Sequence, residues 1–270
     1  MIDLQLLKLI YRNSEIIRNE NIKFKTFFNQ KGGSTKNLTV NYKNNRYTFE
    51  ESEIDKNYYI LFSKNGDECI NIIISEITNT AEIIGIKVYE DCLCDSNKNI
   101  GSTLLKITMK LVKKYKYKYD IKTIILKDNS IKKCNNYNIK LPIMLILLTG
   151  DTWYGKYNFR PYIYNNNKYH LDKFNNKLYE KNKKKILSLK ITDINLLKYI
   201  SKTKNVKLIE ATEKTILNNP SLLLIDFLSK ILNKFNGYDK TCNDFIKFYE
   251  KLYYDISLFD PIGKLYGIEI

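Results

Sequence analysis

The sequence has few of the residues that carry the commonest enzyme chemistry. His170 is the only histidine, which argues against a Ser-His-Asp triad and against a histidine-rich metal site. The five cysteines are an odd number without the paired spacing of a zinc site, and we expect them to be reduced thiols. Any catalysis would therefore use carboxylates, tyrosines, backbone amides or a bound cosubstrate, and no metal is expected.

Long apolar segments are also missing. The longest apolar run covers residues 141–148 and contains Pro142, whereas a membrane-spanning helix needs about 20 residues. Charged residues occur within the first eight positions, and no apolar segment is followed by the small residues of a cleavage site. These features predict a soluble, intracellular and cytoplasmic protein that does not use a membrane.

Arginine is scarce although the chain is strongly basic. The formal net charge is +16, but only four of the 45 basic residues are arginine, and Asn, Ile and Tyr are abundant. This composition is typical of an A+T-rich coding sequence, so codon use accounts for part of the charge. The run from Lys113 to Tyr119 alternates cations with aromatic rings, which suits single-stranded nucleic acid. The solvated face of a helix explains the run more simply, and nucleic acid is not the favoured partner.

The first third of the chain predicts a helix followed by an antiparallel meander. Asn65-Gly66 lies between two apolar runs and is a strong hairpin signal because that turn requires positive φ. The predicted elements are a helix over 2–18 and strands over 38–42, 46–49, 58–62, 69–77 and 81–94.

An α/β unit is predicted next. From Gly101, apolar residues recur at helical spacing (Leu104, Thr108, Leu111 and Tyr115), while lysines occupy the opposite face. The expected elements after this helix are a strand over 121–126, a helix over 141–155 and a closing strand over 159–164. A ligand is expected where the turn before Gly101 meets the helix.

Composition changes beyond Asn165, where polar and lysine-rich runs precede several helical patterns. Helices are predicted over 186–201, 212–235 and 241–256, with Pro220 interrupting the second. We place a domain boundary near residue 180, which divides the chain into 1–180 and a lysine-rich helical region over 181–270. Residues 186–270 would serve as a self-association interface, a protein partner site or a lid, and the sequence does not discriminate among these.

The segment between the acidic strand and the helix offers a row of backbone amides and a helix N-terminus, which together hold pyrophosphate. Its residues are Ser96, Asn97, Lys98, Asn99, Ile100, Gly101, Ser102 and Thr103. This segment resembles the acyl-CoA-binding motif of the GNAT superfamily, Gln/Arg-x-x-Gly-x-Gly/Ala. Gly101 matches the second glycine, whereas Ser96 replaces the Gln/Arg and Asn99 replaces the first glycine. An ordinary strand-to-helix turn is the simpler alternative.

A second segment, Trp153 to Pro161, is similar to the Tyr-x-Lys-x-Gly-Phe-x-Pro segment of the same superfamily. Asn158 replaces its glycine, and asparagine tolerates the left-handed conformation best among the other residues. The resemblance covers roughly residues 35–165. It implies an α/β (α+β) GNAT-like fold with a mixed, mainly antiparallel sheet flanked by helices, and it leaves the C-terminal helical extension unexplained. The chain is also similar to GNAT-type proteins of large DNA viruses, which would place it in the host cytoplasm or the virion.

The resemblance further implies an N-acetyltransferase with acetyl-CoA as cosubstrate and an unknown primary amine as acceptor, reacting by direct attack in a ternary complex. Strand 81–94 would pair with the pantetheine arm, and amides near Leu93 and Cys94 would stabilise the thioester oxygen. Asn129 would hydrogen-bond the pantetheine.

The same resemblance implies roles in proton transfer. Tyr154 would protonate the departing CoA thiolate, and Glu82, Glu90 or Asp91 would accept the proton of the amine. The simpler alternatives are a packed aromatic ring for Tyr154 and solvated side chains for the three carboxylates. A catalytically inactive GNAT-like structural or protein-binding module is the alternative function.

Overall fold

The structure is a computed structural model, and it describes residues 36–43, 45–51, 58–63, 66–87, 92, 100–134, 137–203, 205–235 and 239–270. The described strands are β1 Lys36–Tyr42, β2 Asn45–Glu51, β3 Tyr58–Phe62, β4 Glu68–Ser75, β5 Thr80–Ile86, β6 Thr123–Lys127, β7 Ile131–Cys134, β8 Tyr137–Lys140, β9 Arg160–Asn165, β10 Lys168–Leu171 and β11 Leu265–Glu269. The described α-helices are α1 Ile100–Tyr115, α2 Leu141–Thr149, α3 Lys173–Ser188, α4 Leu196–Ile200, α5 Val206–Asn218, α6 Leu224–Phe235 and α7 Asp239–Ile256.

Nine of these strands form one mainly antiparallel sheet, so the predicted mixed α/β class with a mainly antiparallel sheet is confirmed. Its order is β1-β2-β3-β4-β5-β6-β11-β9-β10, and β7 and β8 form a separate hairpin. Strands β1 to β5 pair antiparallel in sequence order, whereas β5 and β6 pair in parallel through the crossover that contains α1.

The chain divides into two compact units. The first, here called the meander unit, contains β1 to β6 with α1 and the segments Ile163–His170 and Gly267–Ile270. The second, here called the helical unit, contains Asp128–Tyr162 and Leu171–Tyr266. The predicted boundary near residue 180 falls inside α3.

Helix α1 has the amphipathic character that its sequence predicts. Its buried residues recur at helical spacing and include Leu104, Leu111 and Val112, which have no solvent exposure. Its lysines at 106, 110, 113 and 114 are exposed. The period of 3.6 residues therefore placed both faces of this helix correctly.

Helix α2 has no polar face because the helical unit encloses it. Residues 142–148 are all buried. Five of them pack in one cluster with apolar side chains of α3, α6 and α7: Ile143, Met144, Ile146, Leu147 and Leu148. Ile186, Leu228 and Leu252 are completely buried members of that cluster. This enclosure explains the longest apolar run of the sequence as a core helix.

Asparagine occupies several turn positions that require positive φ. Asn158 ends a 3-10 turn in the left-handed conformation with φ of 67°, which confirms the conformation predicted for it. Asn166 and Asn167 have φ of 51° and 57° in the turn between β9 and β10. Two successive residues with positive φ are typical of the tight turns that join antiparallel strands.

Several predicted elements have different limits in the structure. Strand β4 ends at Ser75, and Ile77 is 87% exposed in the following turn. The predicted strand over 81–94 is wrong at Lys87, which is not in a strand, and at Cys92, which lies in a 3-10 turn. Its other residues after Ile86 lie outside the described residues. Helix α2 ends at Thr149 because Gly150 adopts a left-handed capping conformation.

The helices after residue 165 differ most from the sequence prediction. The predicted helix over 186–201 is wrong, because α3 ends at Ser188 and α4 begins only at Leu196. The predicted helix over 212–235 is two helices, α5 and α6, separated around Pro220. Strand β11 was not predicted, so the C-terminal region is not purely helical. The predicted helix over 2–18 lies outside the described residues.

The expectation that all cysteines are reduced is wrong for two of them. Cys69 of β4 and Cys92 form a disulfide whose Cα atoms are 5.8 Å apart. The spacing of 23 residues gave no signal for this pair, because the turn between β4 and β5 brings the two cysteines together only in the folded chain.

Among the described helices, none combines the length and apolar character needed to cross a membrane. Within those same residues, no group of three or more His, Cys, Asp or Glu side chains is placed to hold a metal ion.

Candidate functional site

The parallel strands β5 and β6 define the first part of the candidate site. Their pairing begins at Thr80 opposite Thr123 and ends at Ile83 opposite Leu126. Strand β5 continues to Ile86 while its other edge stays paired with β4. Residues 84–86 therefore extend past the described pairing with β6. In open α/β sheets, ligands bind outside the carboxyl ends of the parallel strands, which is where this stretch lies.

A β-bulge lies at the start of this stretch. Ile83 pairs with Ile72 and Gly85 pairs with Asn71, so Ile84 has no counterpart on β4. Ile84 is 51% exposed, and a Cβ atom added to Gly85 would have no atom within 4 Å. Bulges are frequent beside active sites because they redirect the backbone locally. The sequence pattern indicated a regular strand as far as Cys94, so the bulge at Ile84 and Gly85 was not predicted.

Helix α1 follows β5 along the chain and contains the described end of the predicted pyrophosphate loop. Gly101 is buried in its first turn, and Ile100, Ser102 and Thr103 are half-buried. The hydroxyl groups of Ser102 and Thr103 lie at the end of the helix whose backbone N–H groups attract anions. The remaining predicted residues of this region lie outside the described residues: Glu90, Asp91, Leu93, Cys94, Ser96, Asn97, Lys98 and Asn99.

Glu82 is the one predicted proton acceptor that the structure describes. It lies on β5 two residues before Ile84 and is half-buried. Burial raises the pKa of its carboxyl group above the ordinary value. Burial also raises the pKa of Tyr169 on β10, and the negative charge of Glu82 adds to that increase. Tyr169 packs on Tyr164 of β9 with ring centroids 4.8 Å apart. A carboxylate and an aromatic pair therefore share this part of the meander unit.

Tyr154 lies in the helical unit, in an aromatic cluster. Its ring contacts Trp153 and Phe159, with centroid distances of 4.7 and 5.9 Å. Its carbonyl oxygen accepts hydrogen bonds from the N–H groups of Tyr157 and Phe159, which close the turn. The segment that resembles the GNAT motif is thus a defined aromatic turn in which Tyr154 is half-buried.

The same turn is attached to α3 by charged groups that the sequence analysis did not identify. The Tyr179 hydroxyl donates a hydrogen bond to Oδ1 of Asp151, and Lys183 Nζ lies 2.6 Å from Oδ2 of Asp151. Arg160 forms a further ion pair with Glu180, with Nε and Oε1 3.1 Å apart. A Cβ atom at position 155 would collide with the Asp151 carboxylate and the Tyr179 hydroxyl, so a larger residue there would displace this hydrogen-bonded pair.

Asp128 is a second residue that sequence reasoning missed. It follows β6 directly and is only 1% exposed, whereas its neighbour Asn129, the predicted pantetheine contact, is exposed. The Ser130 N–H and hydroxyl both donate hydrogen bonds to Oδ1, while Oδ2 has no hydrogen-bond partner among the described residues. Burial raises the pKa of Asp128 to about 6, and the Ser130 hydrogen bonds oppose that increase.

Tyr266 of β11 is a buried tyrosine whose hydroxyl group is affected by the charge of Asp128. It is completely buried, and its hydroxyl group also has no hydrogen-bond partner within the described chain. Burial raises the pKa of Tyr266, and the negative charge of Asp128 raises it further. Asp128 could have been suspected from sequence only as a carboxyl group directly after a buried strand.

The structure groups the predicted site residues by unit. Glu82, Ile100, Gly101, Ser102 and Thr103 lie in the meander unit, and Asn129 and Tyr154 lie in the helical unit. No protein-family model, no curated protein and no solved structure matches this chain. The function proposed for the site therefore rests on the chemistry of its own residues.

Proposed function

We propose that the chain is a GNAT-type N-acetyltransferase that uses acetyl-CoA and a primary amine acceptor. One observation carries the proposal: β5 and β6 run parallel, their described pairing stops at Ile83, and the helix that follows β5 begins at Ile100 and has Gly101 in its first turn. A backbone segment past the end of strand pairing and a helix N-terminus are the two features that an acyl-CoA requires, because it contains both amides and a pyrophosphate.

Residues 84–86 would bind the pantetheine arm. An extended ligand beside an open strand edge is held by main-chain hydrogen bonds, and the bulge at Ile84 would direct one backbone group away from β4. The amides at the start of α1, with the hydroxyl groups of Ser102 and Thr103, would bind the pyrophosphate. The amides near Leu93 and Cys94, to which the sequence resemblance gives the thioester oxygen, lie outside the described residues.

The proposed reaction needs a base and an acid. An alkylamine with an ordinary pKa near ~10.4 is protonated at neutral pH, so it must lose a proton before its nitrogen attacks the thioester carbonyl carbon. Glu82 would accept that proton, since its raised pKa brings it closer to neutral pH. The C–N bond forms, the C–S bond then breaks, and the departing thiolate takes a proton. A Glu82→Gln variant with an unchanged pH profile of turnover would contradict the base role.

Binding of the cosubstrate is the first test. Isothermal titration calorimetry with acetyl-CoA and with CoA is expected to give a micromolar dissociation constant for the full chain. Gly101→Glu places a negative charge at the proposed pyrophosphate site and is expected to abolish binding. Lys113→Gln in the last turn of α1 changes the net charge by the same amount and is expected to bind normally.

A second variant separates loss of the ligand site from loss of the fold. Gly85→Val adds a side chain into open space, so the thermal unfolding temperature should not fall while acetyl-CoA binding weakens. Thr48→Val, at an exposed position of β2, is the matched control and should retain binding. Absence of binding by the folded wild-type chain would contradict the proposal and favour an inactive module of the same fold.

A further inference from the structure

Six basic side chains of the meander unit lie together on its surface. Two belong to the β1–β2 hairpin and four to the outer side of α1, and all six are exposed: Lys43, Arg46, Lys106, Lys110, Lys113 and Lys114. We call this set the basic face. The lysines of α1 are spaced by four residues from 106 to 110 and by three from 110 to 113, and Lys114 follows Lys113 directly. Residues at these spacings lie on one side of a helix.

Contacts with β1 hold half of the basic face in place. Lys110 Nζ donates a hydrogen bond to the Asn41 carbonyl oxygen at 3.3 Å, and Lys114 Nζ donates one to the Thr39 carbonyl oxygen at 3.4 Å. Arg46 donates from Nε and Nη2 to the Thr39 hydroxyl oxygen at 3.3 and 3.2 Å. Three cations from two elements therefore converge on residues 39–41 of one strand.

Aromatic rings accompany these cations. The ammonium groups of Lys43 and Lys110 lie 5.8 and 5.4 Å from the centre of the Tyr42 ring. Tyr117, two residues after the end of α1, is 91% exposed. Tyr117 follows Lys113 and Lys114 by four and three residues in the sequence, so this segment adds an exposed stacking ring to their positive charge.

Carboxylates do not neutralise the basic face within the described chain. Elsewhere in the structure, Lys87, Lys140, Arg160 and Lys183 each form an ion pair with Asp or Glu. None of the six side chains of the basic face forms an ion pair with a described residue; those with a described polar contact bond to carbonyl or hydroxyl oxygens. Among the described residues, no carboxylate therefore competes with an external anion for these six positive charges.

We propose that the basic face binds single-stranded nucleic acid without sequence specificity. Repeated phosphates would contact the six cations and release their counterions, and bases would stack on Tyr117. Five of the six cations are lysines, which act on phosphate as point charges and carry no base-reading geometry. This binding is separate from the acetyl-CoA site and does not depend on the proposed transferase activity.

Fluorescence anisotropy with a labelled oligothymidylate of about twelve nucleotides tests the proposal. The triple variant Lys43→Gln/Lys106→Gln/Lys113→Gln removes three charges that make no described hydrogen bond to the protein. Its dissociation constant should rise at least tenfold at fixed salt. The slope of log affinity against log salt should become shallower by about 2, since each phosphate contact contributes about 0.7.

The matched control removes three exposed lysines from α3, in the variant Lys177→Gln/Lys181→Gln/Lys184→Gln. Both triple variants have the same net charge, and the control should stay within about twofold of the wild type if binding is localised. Equal weakening by the two variants would overturn the proposal, because binding would then follow net charge alone. Thermal unfolding of each variant confirms that the fold is retained.

Two further measurements test the nature of the ligand. Tyr117→Ala keeps the charge and should weaken oligothymidylate binding about fivefold or more through lost stacking. Polyglutamate should compete poorly at equal charge concentration, because it lacks stacking bases. Equal competition by polyglutamate, tighter binding of duplex DNA, or no binding by the wild type would each overturn the assignment to single strands.

Discussion

Asp128 and Asp151 are both buried carboxyl groups of the helical unit, but the protein surrounds them differently. Asp151 receives a hydrogen bond from Tyr179 and an ion pair from Lys183, so both of its oxygens have partners. One oxygen of Asp128 and the hydroxyl of nearby Tyr266 have no partners among the described residues. Burial with matched partners stabilises one conformation, whereas burial without them makes a carboxyl group sensitive to pH.

The largest expected effect comes from removing the matched carboxylate. Asp151→Ala leaves Lys183 without its counterion and Tyr179 without its acceptor, so of the hydrogen bonds and ion pairs described above between this turn and α3 only the Arg160–Glu180 ion pair remains. Breaking an ion pair of this kind is expected to lower the free energy of unfolding by about 3 kcal/mol. Urea unfolding followed by circular dichroism measures the change. A loss below about 1 kcal/mol would show that the network does not hold the turn.

Asp128, whose Oδ2 has no hydrogen-bond partner among the described residues, is expected to make the stability of the protein depend on pH. Because the pKa of Asp128 is about 6 when folded and 3.8 in its reference state, the folded chain binds the proton more tightly. Wild-type stability should therefore fall as pH rises from about 4 to about 6, by about 3 kcal/mol from this group. In Asp128→Asn that contribution disappears, so the stability of the variant relative to wild type should increase over the same interval. Urea unfolding of both proteins at pH 4 and 7.5 measures it, and a difference that is independent of pH would contradict the assignment.

The smallest expected changes in unfolding free energy come from Phe substitutions of two buried tyrosines, Tyr179 and Tyr266. Tyr179→Phe removes the hydrogen bond to Asp151 and should cost about 2 kcal/mol of unfolding free energy. Tyr266→Phe removes a hydroxyl group without a hydrogen-bond partner in the described chain and should change that free energy by less than about 0.5 kcal/mol. Thermal or urea unfolding of the pair suffices. Similar losses in the two variants would mean that Tyr266 has a polar partner in solution.

Local sequence signals predicted the elements that are specified by residues close together in the chain. The hairpins of the meander, helix α1 and the left-handed Asn158 were expected from apolar period and turn chemistry, and the structure confirms them. One local signal was overlooked: Asp172 caps α3 by accepting a hydrogen bond from the Asn175 N–H. An aspartate before a lysine-rich helical run is a preferred N-cap, and it would have placed the start of α3.

The candidate site was less accessible to sequence reasoning than the fold. Glu82, Gly101 and Tyr154 could be selected because a motif or a strand pattern marked them. Gly85 and Ile84 could not, since the bulge arises only when β5 pairs with β4 on one side and leaves β6 on the other. Asp128 gave only one signal, its position directly after a buried strand, because its burial depends on residues far away in the chain, including Tyr266.

The sequence by itself determined the mixed α/β class, the amphipathic helix with its lysine face and the turns at asparagine, because these follow from interactions within a few residues. The tertiary structure decided three other features: β11 in the large sheet, the Cys69–Cys92 disulfide and the different surroundings of Asp128 and Asp151. Each joins residues that are distant in sequence, and such pairings depend on the packing of the whole chain rather than on local periodicity.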